Sequence, residues 1–199
     1  MYTCIMKSII FATSNQGKVK SLKYYFEKHK VNIEVVQKPL DLIEPQADTA
    51  EEVAKVKAHQ AWQQMKSPVL VDDSSFHIQA LKGFPGPYIK PMLETIGVEG
   101  IFRLMDGQKC RDAWFLSSLV YIDSGGKEYV FEYDQYTGMI ASQISEKEAP
   151  DAWSDLFKIF IPDDQTKVLS ELTIDERYSI QTERVDAYEK FAKWMKDQI

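Results

Sequence analysis

The first residues in the chain whose types and spacing could do chemistry form the run TSNQGK, from Thr13 to Lys18. The run follows a β-branched apolar stretch and precedes a helical pattern, so it lies between a predicted strand and the first turn of a predicted helix. At such a loop, unpaired backbone N–H groups and the helix dipole attract phosphate, and Lys18 adds a full charge. The run lacks the longer glycine loop of the Walker pattern. It equally fits a plain helix N-cap followed by a solvated lysine.

A second chemical feature is the acidic pair Asp72-Asp73, which follows a short apolar strand predicted at Pro68 to Val71. Adjacent carboxylates at the end of a strand cannot both enter an apolar core, because burying an unpaired charge is expensive. Mg²⁺ prefers such oxygen ligands and usually keeps water and substrate phosphates as well. Side chains of a strand alternate between faces, so one aspartate could bind metal while the other faces elsewhere. A solvated turn is the alternative interpretation.

Three further charged residues, Glu44, Lys57 and Lys90, are typical surface charges when each is considered alone. Lys90 differs in one respect, because it follows the Gly/Pro-rich turn KGFPGP, from Lys82 to Pro87. A rigid turn of this kind fixes the direction of the side chains that follow it. The turn therefore favours a defined position for Lys90.

The elements that must position these residues alternate between strands and helices in the first half of the chain. In chain order we predict strands at 8–13, 32–36, 68–71 and 76–81, and helices at 18–30 and 49–66. Residues 88–105 are predicted to form one or two helices, with a break near Gly97. A hairpin of strands 113–122 and 127–136 follows, and the last helix is predicted at 182–196. Thr49 and Glu52 form a plausible capping box, and the aromatic stripe of the last helix is interpreted as core. The pattern predicts one α/β domain over residues 1–199, in which the hairpin, roughly residues 107–145, extends a second lobe.

Composition narrows the class of protein. A net charge of −6 disfavours non-specific binding to nucleic acid, which depends on Lys and Arg neutralising phosphates. No apolar stretch approaches the roughly 18 residues of a membrane span, and no signal-peptide pattern is visible. Cys4 and Cys110 fit no zinc spacing and are expected to be free thiols. We therefore expect a cytoplasmic protein with no membrane or nucleic-acid partner.

Taken in order, these motifs resemble the inosine-triphosphate pyrophosphatase family, also called the Ham1 family. The resemblance covers nearly the whole chain, and its most specific part is the string GFPGPYIK. The matching residues are Thr13, Asn15 and Lys18 of T-x-N-x-x-K; Asp41, Leu42, Glu44 and Gln46 of D-L-x-E-x-Q; Lys57; the pair Asp72-Asp73; Gly83, Pro85, Gly86, Pro87, Tyr88, Ile89 and Lys90; and Phe160 and Pro162 of F-x-P.

The resemblance implies an elongated mixed β-sheet flanked by helices, with two lobes around a central cleft, in a protein that is usually a homodimer. It implies hydrolysis of the α–β phosphoanhydride of a nucleoside triphosphate, which gives the monophosphate and pyrophosphate. The usual substrates of the family are deaminated purine nucleotides such as ITP, dITP and XTP. The cofactor would be Mg²⁺.

The resemblance also implies a role for each matching side chain. Glu44 and Asp73 would bind Mg²⁺, and Asp72 would support the site. Asp73 or a neighbouring carboxylate would orient or deprotonate the attacking water, and Lys18 would hold the triphosphate. Lys57 and Lys90 would neutralise charge on the leaving pyrophosphate. The predicted substrate contacts are Thr13, Ser14, Asn15, Lys18, Lys57, Lys90, Asp155, Arg177 and Arg184.

The family's G-[WY]-D-P motif has no clear counterpart in this chain, which reads WSDLFK over residues 153–158. A gapped alignment recovers Trp153 and Asp155 as the aromatic and the acid. An ungapped alignment places Leu156 and Phe157 there instead. The sequence leaves both alignments open.

The family's S-H-R motif is also altered. Glu183 stands where the histidine is expected, Arg184 is retained, and Arg177 replaces a lysine a few residues earlier. An ionised Glu only accepts hydrogen bonds, so it would change which base edge is read. We therefore predict a retained reaction with altered or relaxed base preference. The competing hypothesis is a non-catalytic nucleotide-binding or regulatory protein on the same scaffold.

Overall fold

The computed structural model describes residues 8–132, 136–150, 152–182 and 187–198. Its helices are α1 (Gln16–Lys28), α2 (Ala50–Met65), α3 (Ile89–Thr95), α4 (Gly97–Leu104), α5 (Ile174–Thr182) and α6 (Ala187–Asp197). Its strands are β1 (Ser8–Phe11), β2 (Glu34–Gln37), β3 (Val69–Ile78), β4 (Pro85–Gly86), β5 (Asp112–Ile122), β6 (Glu128–Glu132), β7 (Tyr136–Ile140) and β8 (Phe160–Pro162).

These strands form one mixed sheet. The order is β2-β1-β3-β5-β7-β8, while β4 adds to β3 and β6 adds to β5. The pairs β1–β2 and β1–β3 are parallel, and the pairs that involve β5 are antiparallel. Helices pack against this sheet, so the predicted fold class of a mixed α/β sheet flanked by helices is confirmed.

The strand β3 corrects one prediction from the sequence. We expected a strand that ends at the acidic pair and a separate strand at 76–81, but β3 runs without interruption from Val69 to Ile78. It stays continuous because it pairs with β5 along its whole length, with Asp72 opposite Leu119 and Asp73 opposite Ser118. The two aspartates therefore lie in the middle of a strand, and their side chains point to opposite faces of the sheet.

The predicted hairpin also differs from the structure in its returning strand. The strand predicted at 127–136 is replaced by β6 and β7, which both pair with β5. The first takes residues 118–122 of β5 as partners, and the second takes residues 112–115. A single returning strand is thus split into two segments that share one long partner.

The apolar core of the described residues is divided between the two faces of the sheet and its far half. On one face, α1 and α6 pack with Leu70 and Phe11. On the other face, the alanines of α2 pack against Val69 and Val71, because small side chains let the helix approach the sheet closely. A third cluster joins the far half of the sheet to α3 and α4 through Phe76 and neighbouring aromatic residues.

The helix predictions are confirmed in most places. The capping box of Thr49 and Glu52 is present at the start of α2, and the predicted break near Gly97 separates α3 from α4. The last predicted helix, at 182–196, is described only from Ala187 onward, because residues 183–186 lie outside the described residues. Helix α5 was not predicted, because IDERYSIQT has no clear apolar stripe. None of the described helices is long and apolar enough to cross a membrane.

Helix α6 is tied to α1 by a buried carboxylate. Glu189 Oε1 lies 3.3 Å from Lys28 Nζ, 3.0 Å from His29 Nε2 and 3.3 Å from Lys193 Nζ. Burial raises the pKa of Glu189, but the three donors together lower it by more than burial raises it. The net shift of the pKa is therefore downward. The ionised carboxylate therefore stabilises the folded protein.

We expect Glu189→Gln to lower the free energy of unfolding by roughly 1–3 kcal/mol at pH 7, because it removes charge-assisted hydrogen bonds. The pKa of Glu189 is lowered on folding, so its contribution is complete above the ordinary value of 4.5 and is lost as the pH falls through the folded value. Urea unfolding at several pH values should show a steeper acid loss for the wild type than for the variant. The exposed Glu27→Gln on α1 is the control, and equal acid slopes in wild type and Glu189→Gln would contradict this account.

Candidate active site

The site forms where β1 ends and β3 continues. Phe11, the last residue of β1, is in register with Leu70, so the loop after Phe11 runs beside the acidic pair. A cleft of about 820 Å³ opens at this point. The predicted site residues that line it are Thr13, Ser14, Asn15, Lys18, Glu44, Lys57, Asp72, Asp73, Lys90 and Asp155.

Asp72 lies on the face of the sheet that carries α1 and α6. Its side chain is 3% exposed, and Oδ2 lies 3.4 Å from Lys18 Nζ. Lys18 Nζ also donates to the Asp72 carbonyl at 3.1 Å and to Ser74 Oγ at 3.4 Å. The Tyr188 hydroxyl of α6 donates to the same Oδ2. Burial raises the pKa of Asp72, and it outweighs the lowering caused by Lys18 and Tyr188.

Asp73 lies on the opposite face, below α2. Lys57 Nζ of that helix donates to Asp73 Oδ2 at 2.7 Å and to Glu44 Oε1 at 2.8 Å. The backbone N–H of Ser74 donates to Asp73 Oδ1 at 3.0 Å. Burial lowers the pKa of Lys57, but Asp73 and Glu44 raise it more, so the lysine is held in its charged form. The hydrogen bond from Lys57 lowers the pKa of Glu44.

The TSNQGK loop forms the predicted helix N-cap. Asn15 is the N-cap of α1, and its side-chain oxygen accepts from the N–H groups of Gly17 at 2.9 Å and Lys18 at 3.2 Å. These two N–H groups are therefore paired, which corrects the expectation that they are open to phosphate. Lys18 is not a solvated lysine, because its side chain is only 18% exposed and reaches across to β3.

The Gly/Pro turn positions Lys90 as expected from its rigidity. Gly83 and Gly86 both have positive φ, at 90° and 61°, a conformation that side chains other than glycine rarely adopt. The turn is fastened to β3 by the β4 pairing and leads directly into α3. Lys90 lines the cleft and is close enough to Glu44 to help lower the pKa of that carboxyl.

The far end of the cleft is formed by Trp153, Ser154 and Asp155. Leu156 and Phe157 are buried in the apolar cluster around Phe76 instead. The fold thus places at the cleft Trp153 and Asp155, the residues that the gapped alignment recovers. The same three residues also border a smaller cavity of about 310 Å³ on that side of the molecule.

Two predicted substrate contacts are not brought to this cleft by the described structure. The buried Arg177 donates to the backbone carbonyls of Leu169 and Leu172, and it stacks over the Phe157 ring. It is not among the described residues that line the cleft. Arg184 and Glu183 lie outside the described residues.

Sequence reasoning missed two polar groups that touch the site. Tyr188 was interpreted only as core, although a phenol hydroxyl in an otherwise apolar stripe is a signal that a partner is required. Ser117 of β5 donates to Ser74 Oγ at 2.8 Å and so supports an acceptor of Lys18. No sequence signal pointed to Ser117, because its position depends on the register between β3 and β5.

A divalent cation is the group that the family resemblance implies here. Within the described ranges, no three His, Cys, Asp or Glu side chains converge into a ready metal cluster. The donor set still fits a cation, because Glu44 and Asp73 both lie within hydrogen-bonding distance of one positive group, the Lys57 ammonium. A cation between these carboxylates would require Lys57 to move aside. Substrate phosphates and water would complete its shell.

The fold and the site define an α/β protein whose cleft is lined by lysines and carboxylates. The Ham1 family matches residues 9–194, and the chain belongs to this family. The dITP/XTP pyrophosphatase of Methanopyrus kandleri is 36% identical over 191 residues, which cover 96% of this chain and 97% of the relative. The inosine triphosphate pyrophosphatase of Emericella nidulans is 30% identical over 194 residues, which cover 98% and 100%. The solved structure of a HAM1 protein from Coxiella burnetii has the same fold, with a TM-score of 0.82 at 20% identity and coverage of 96% and 100%.

We expect Asn15→Ala to lower the free energy of unfolding by about 0.5–2 kcal/mol, because it leaves two N–H groups of the first turn of α1 without their acceptor. Chemical denaturation checks this value. The exposed Asn32→Ala is the matched control and should change stability by less than about 0.5 kcal/mol. An unchanged midpoint for Asn15→Ala would show that the cap contributes nothing in solution.

Proposed function

We propose that the protein is a nucleoside-triphosphate pyrophosphatase that hydrolyses non-canonical purine nucleotides, such as ITP, dITP and XTP, to the monophosphate and pyrophosphate. One observation carries the proposal: two adjacent carboxylates point to opposite faces of the sheet, and each contacts a lysine at the edge of one cleft. The names of the relatives from Methanopyrus kandleri and Emericella nidulans support the same reaction.

The triphosphate would lie across the three lysines of the cleft. Lys18 approaches from the face of α1, Lys57 from the face of α2, and Lys90 from the first turn of α3. Their charges would neutralise the phosphate oxygens and the charge that develops on the leaving pyrophosphate. Thr13, Ser14 and Asn15 would contribute polar contacts at the start of α1.

The proposed metal ligands are Glu44 and Asp73, and the proposed cation is Mg²⁺. When bound, the cation would supply positive charge to the phosphate oxygens. Asp73 would also orient or deprotonate the attacking water. Asp72 would keep Lys18 in place, since the two groups are in contact inside the fold. Lys57 would release Glu44 and Asp73 and would bind the substrate phosphates instead.

The base would lie at the Trp153–Asp155 end, where an aromatic ring and a carboxylate line the cleft. Asp155 is exposed and lies 3.8 Å from Lys158 Nζ, so its carboxylate is accessible to a ligand. Arg177 and Arg184 remain proposed substrate contacts on the strength of the family resemblance alone. The replacement at Glu183 supports a base preference that differs from that of the relatives.

We also propose that the protein is cytoplasmic and acts as a homodimer. The dimer rests on the family resemblance. The location rests on that resemblance and on the free, exposed thiol of Cys110. Cys4 lies outside the described residues.

We expect purified protein with Mg²⁺ to release pyrophosphate, not orthophosphate, from at least one of ITP, dITP, XTP, dUTP and the four standard nucleotides. Asp73→Asn should lower the rate by about 10²-fold or more, because it removes the proposed general base and metal ligand. Product analysis by chromatography distinguishes monophosphate from diphosphate. Nucleotide binding without any pyrophosphate release would favour the non-catalytic hypothesis, and full activity of Asp73→Asn would remove Asp73 from the mechanism.

We expect Mg²⁺ alone to raise the melting temperature of Lys57→Gln by about 2–4 °C more than that of the wild type, because the variant frees both carboxylates for the cation. Lys55→Gln on the same helix is the matched control, since Lys55 pairs with Glu51 away from the cleft. Thermal unfolding with and without Mg²⁺ checks the difference. Equal shifts in all three proteins would argue against Glu44 and Asp73 as the metal ligands.

A further inference from the structure

The Asp72 carboxylate has an unusually restricted environment. Its side chain is 3% exposed, and its Oδ2 is shared by the Lys18 ammonium and the Tyr188 hydroxyl. Its Oδ1 is buried and has no hydrogen-bond partner among the residues that the structure describes. Two donors on one oxygen and none on the other leave the orientation of this carboxylate dependent on those two donors.

The position of Tyr188 is itself well determined. The residue is 4% exposed, and its ring packs edge-on against Phe11, the last residue of β1, with centroids 6.2 Å apart. The neighbouring Glu189 binds Lys28 of α1 and His29, the C-cap of α1, and these contacts fix α6 against that helix. The hydroxyl therefore reaches Asp72 from a rigid support.

The position of Lys18 depends on the same carboxylate. Its ammonium contacts Asp72 Oδ2, the Asp72 carbonyl and Ser74 Oγ, and Lys18 also lines the cleft. If the tyrosine hydroxyl is removed, Lys18 becomes the only described donor to the Asp72 side chain. A buried carboxylate with one donor would draw the ammonium inward and turn toward it, because an unsatisfied buried charge is costly.

We propose that Tyr188 is a positioning residue for the reaction: its hydroxyl holds the Asp72 carboxylate so that Lys18 stays directed toward the triphosphate. The proposal rests on the proposed pyrophosphatase function. It assigns a role in the active site to the last helix, none of whose described residues lines the cleft. Small displacements of a reacting group can cost up to about 10²-fold in rate, so one hydroxyl is sufficient for a measurable effect.

The first part of the test is kinetic. Tyr188→Phe keeps the ring and removes only the hydroxyl, and we expect kcat for pyrophosphate release to fall about 5- to 50-fold. KM should change less than about threefold, because Lys57, Lys90 and the loop at α1 still bind the triphosphate. Tyr121→Phe is the matched control: Tyr121 belongs to the same core cluster and packs on Phe191 and Trp194 of α6. It should leave kcat unchanged.

The second part is a double-mutant cycle with Asp72→Asn. If Tyr188 acts through Asp72, Tyr188→Phe should have little further effect on kcat in the Asp72→Asn protein. The same cycle, measured on the midpoint of chemical denaturation, should show that the two substitutions are not additive. Independent, multiplying effects on kcat would overturn the proposal. So would a loss of kcat in Tyr188→Phe no larger than that in Tyr121→Phe.

The denaturation cycle separates this proposal from the proposed function. If the wild type releases no pyrophosphate from any nucleotide, the proposed function fails and Tyr188 positions nothing for that reaction. The denaturation cycle then still decides whether the hydroxyl holds Asp72 in solution. Additive midpoint shifts would show that this contact is absent, whether or not the protein is an enzyme.

Discussion

The structure depends on one electrostatic constraint: two adjacent aspartates lie in the middle of β3, a strand whose residues are buried or partly buried. Neighbouring side chains of a strand point to opposite faces, so one helix layer cannot neutralise both charges. The chain solves this by placing Lys18 of α1 on one face and Lys57 of α2 on the other. Leaving either carboxylate unpaired at this depth would cost several kcal/mol, in line with the loss of one partner from a buried ion pair.

The same constraint explains where the cleft opens. β1 stops at Phe11 while its neighbour β3 continues, so the first turn of α1 can deliver Lys18 to β3 from beyond the end of β1. Closely packed alanines bring α2 near the sheet, and this brings Lys57 within reach of Asp73. The positive groups that neutralise the aspartates are therefore already at the edge of the cleft, where a triphosphate would need them.

The two ends of the cleft differ in how firmly they follow the family. At the end where we propose that the phosphates bind, Lys18, Lys57, Asp73 and Lys90 match the family motifs and lie together in the cleft. At the other end the motif is altered, yet Trp153 and Asp155 still line the cleft because Leu156 and Phe157 are buried in the apolar cluster around Phe76. Burial of Leu156 and Phe157, rather than the spacing of the motif, decides which residues of this segment line the cleft.

The sequence by itself determined the mixed α/β class, most helices, and the set of charged residues at the phosphate end, because apolar periodicity and turn chemistry are local and the motifs match residue by residue. It could not show that Asp72 and Asp73 lie mid-strand, since that depends on pairing with β5 more than 40 residues away. It also could not show that Tyr188 reaches Asp72, 116 residues apart in the chain. Only the tertiary structure decided these contacts, because strand register and helix docking are set by burial across the whole fold and not by neighbours in sequence.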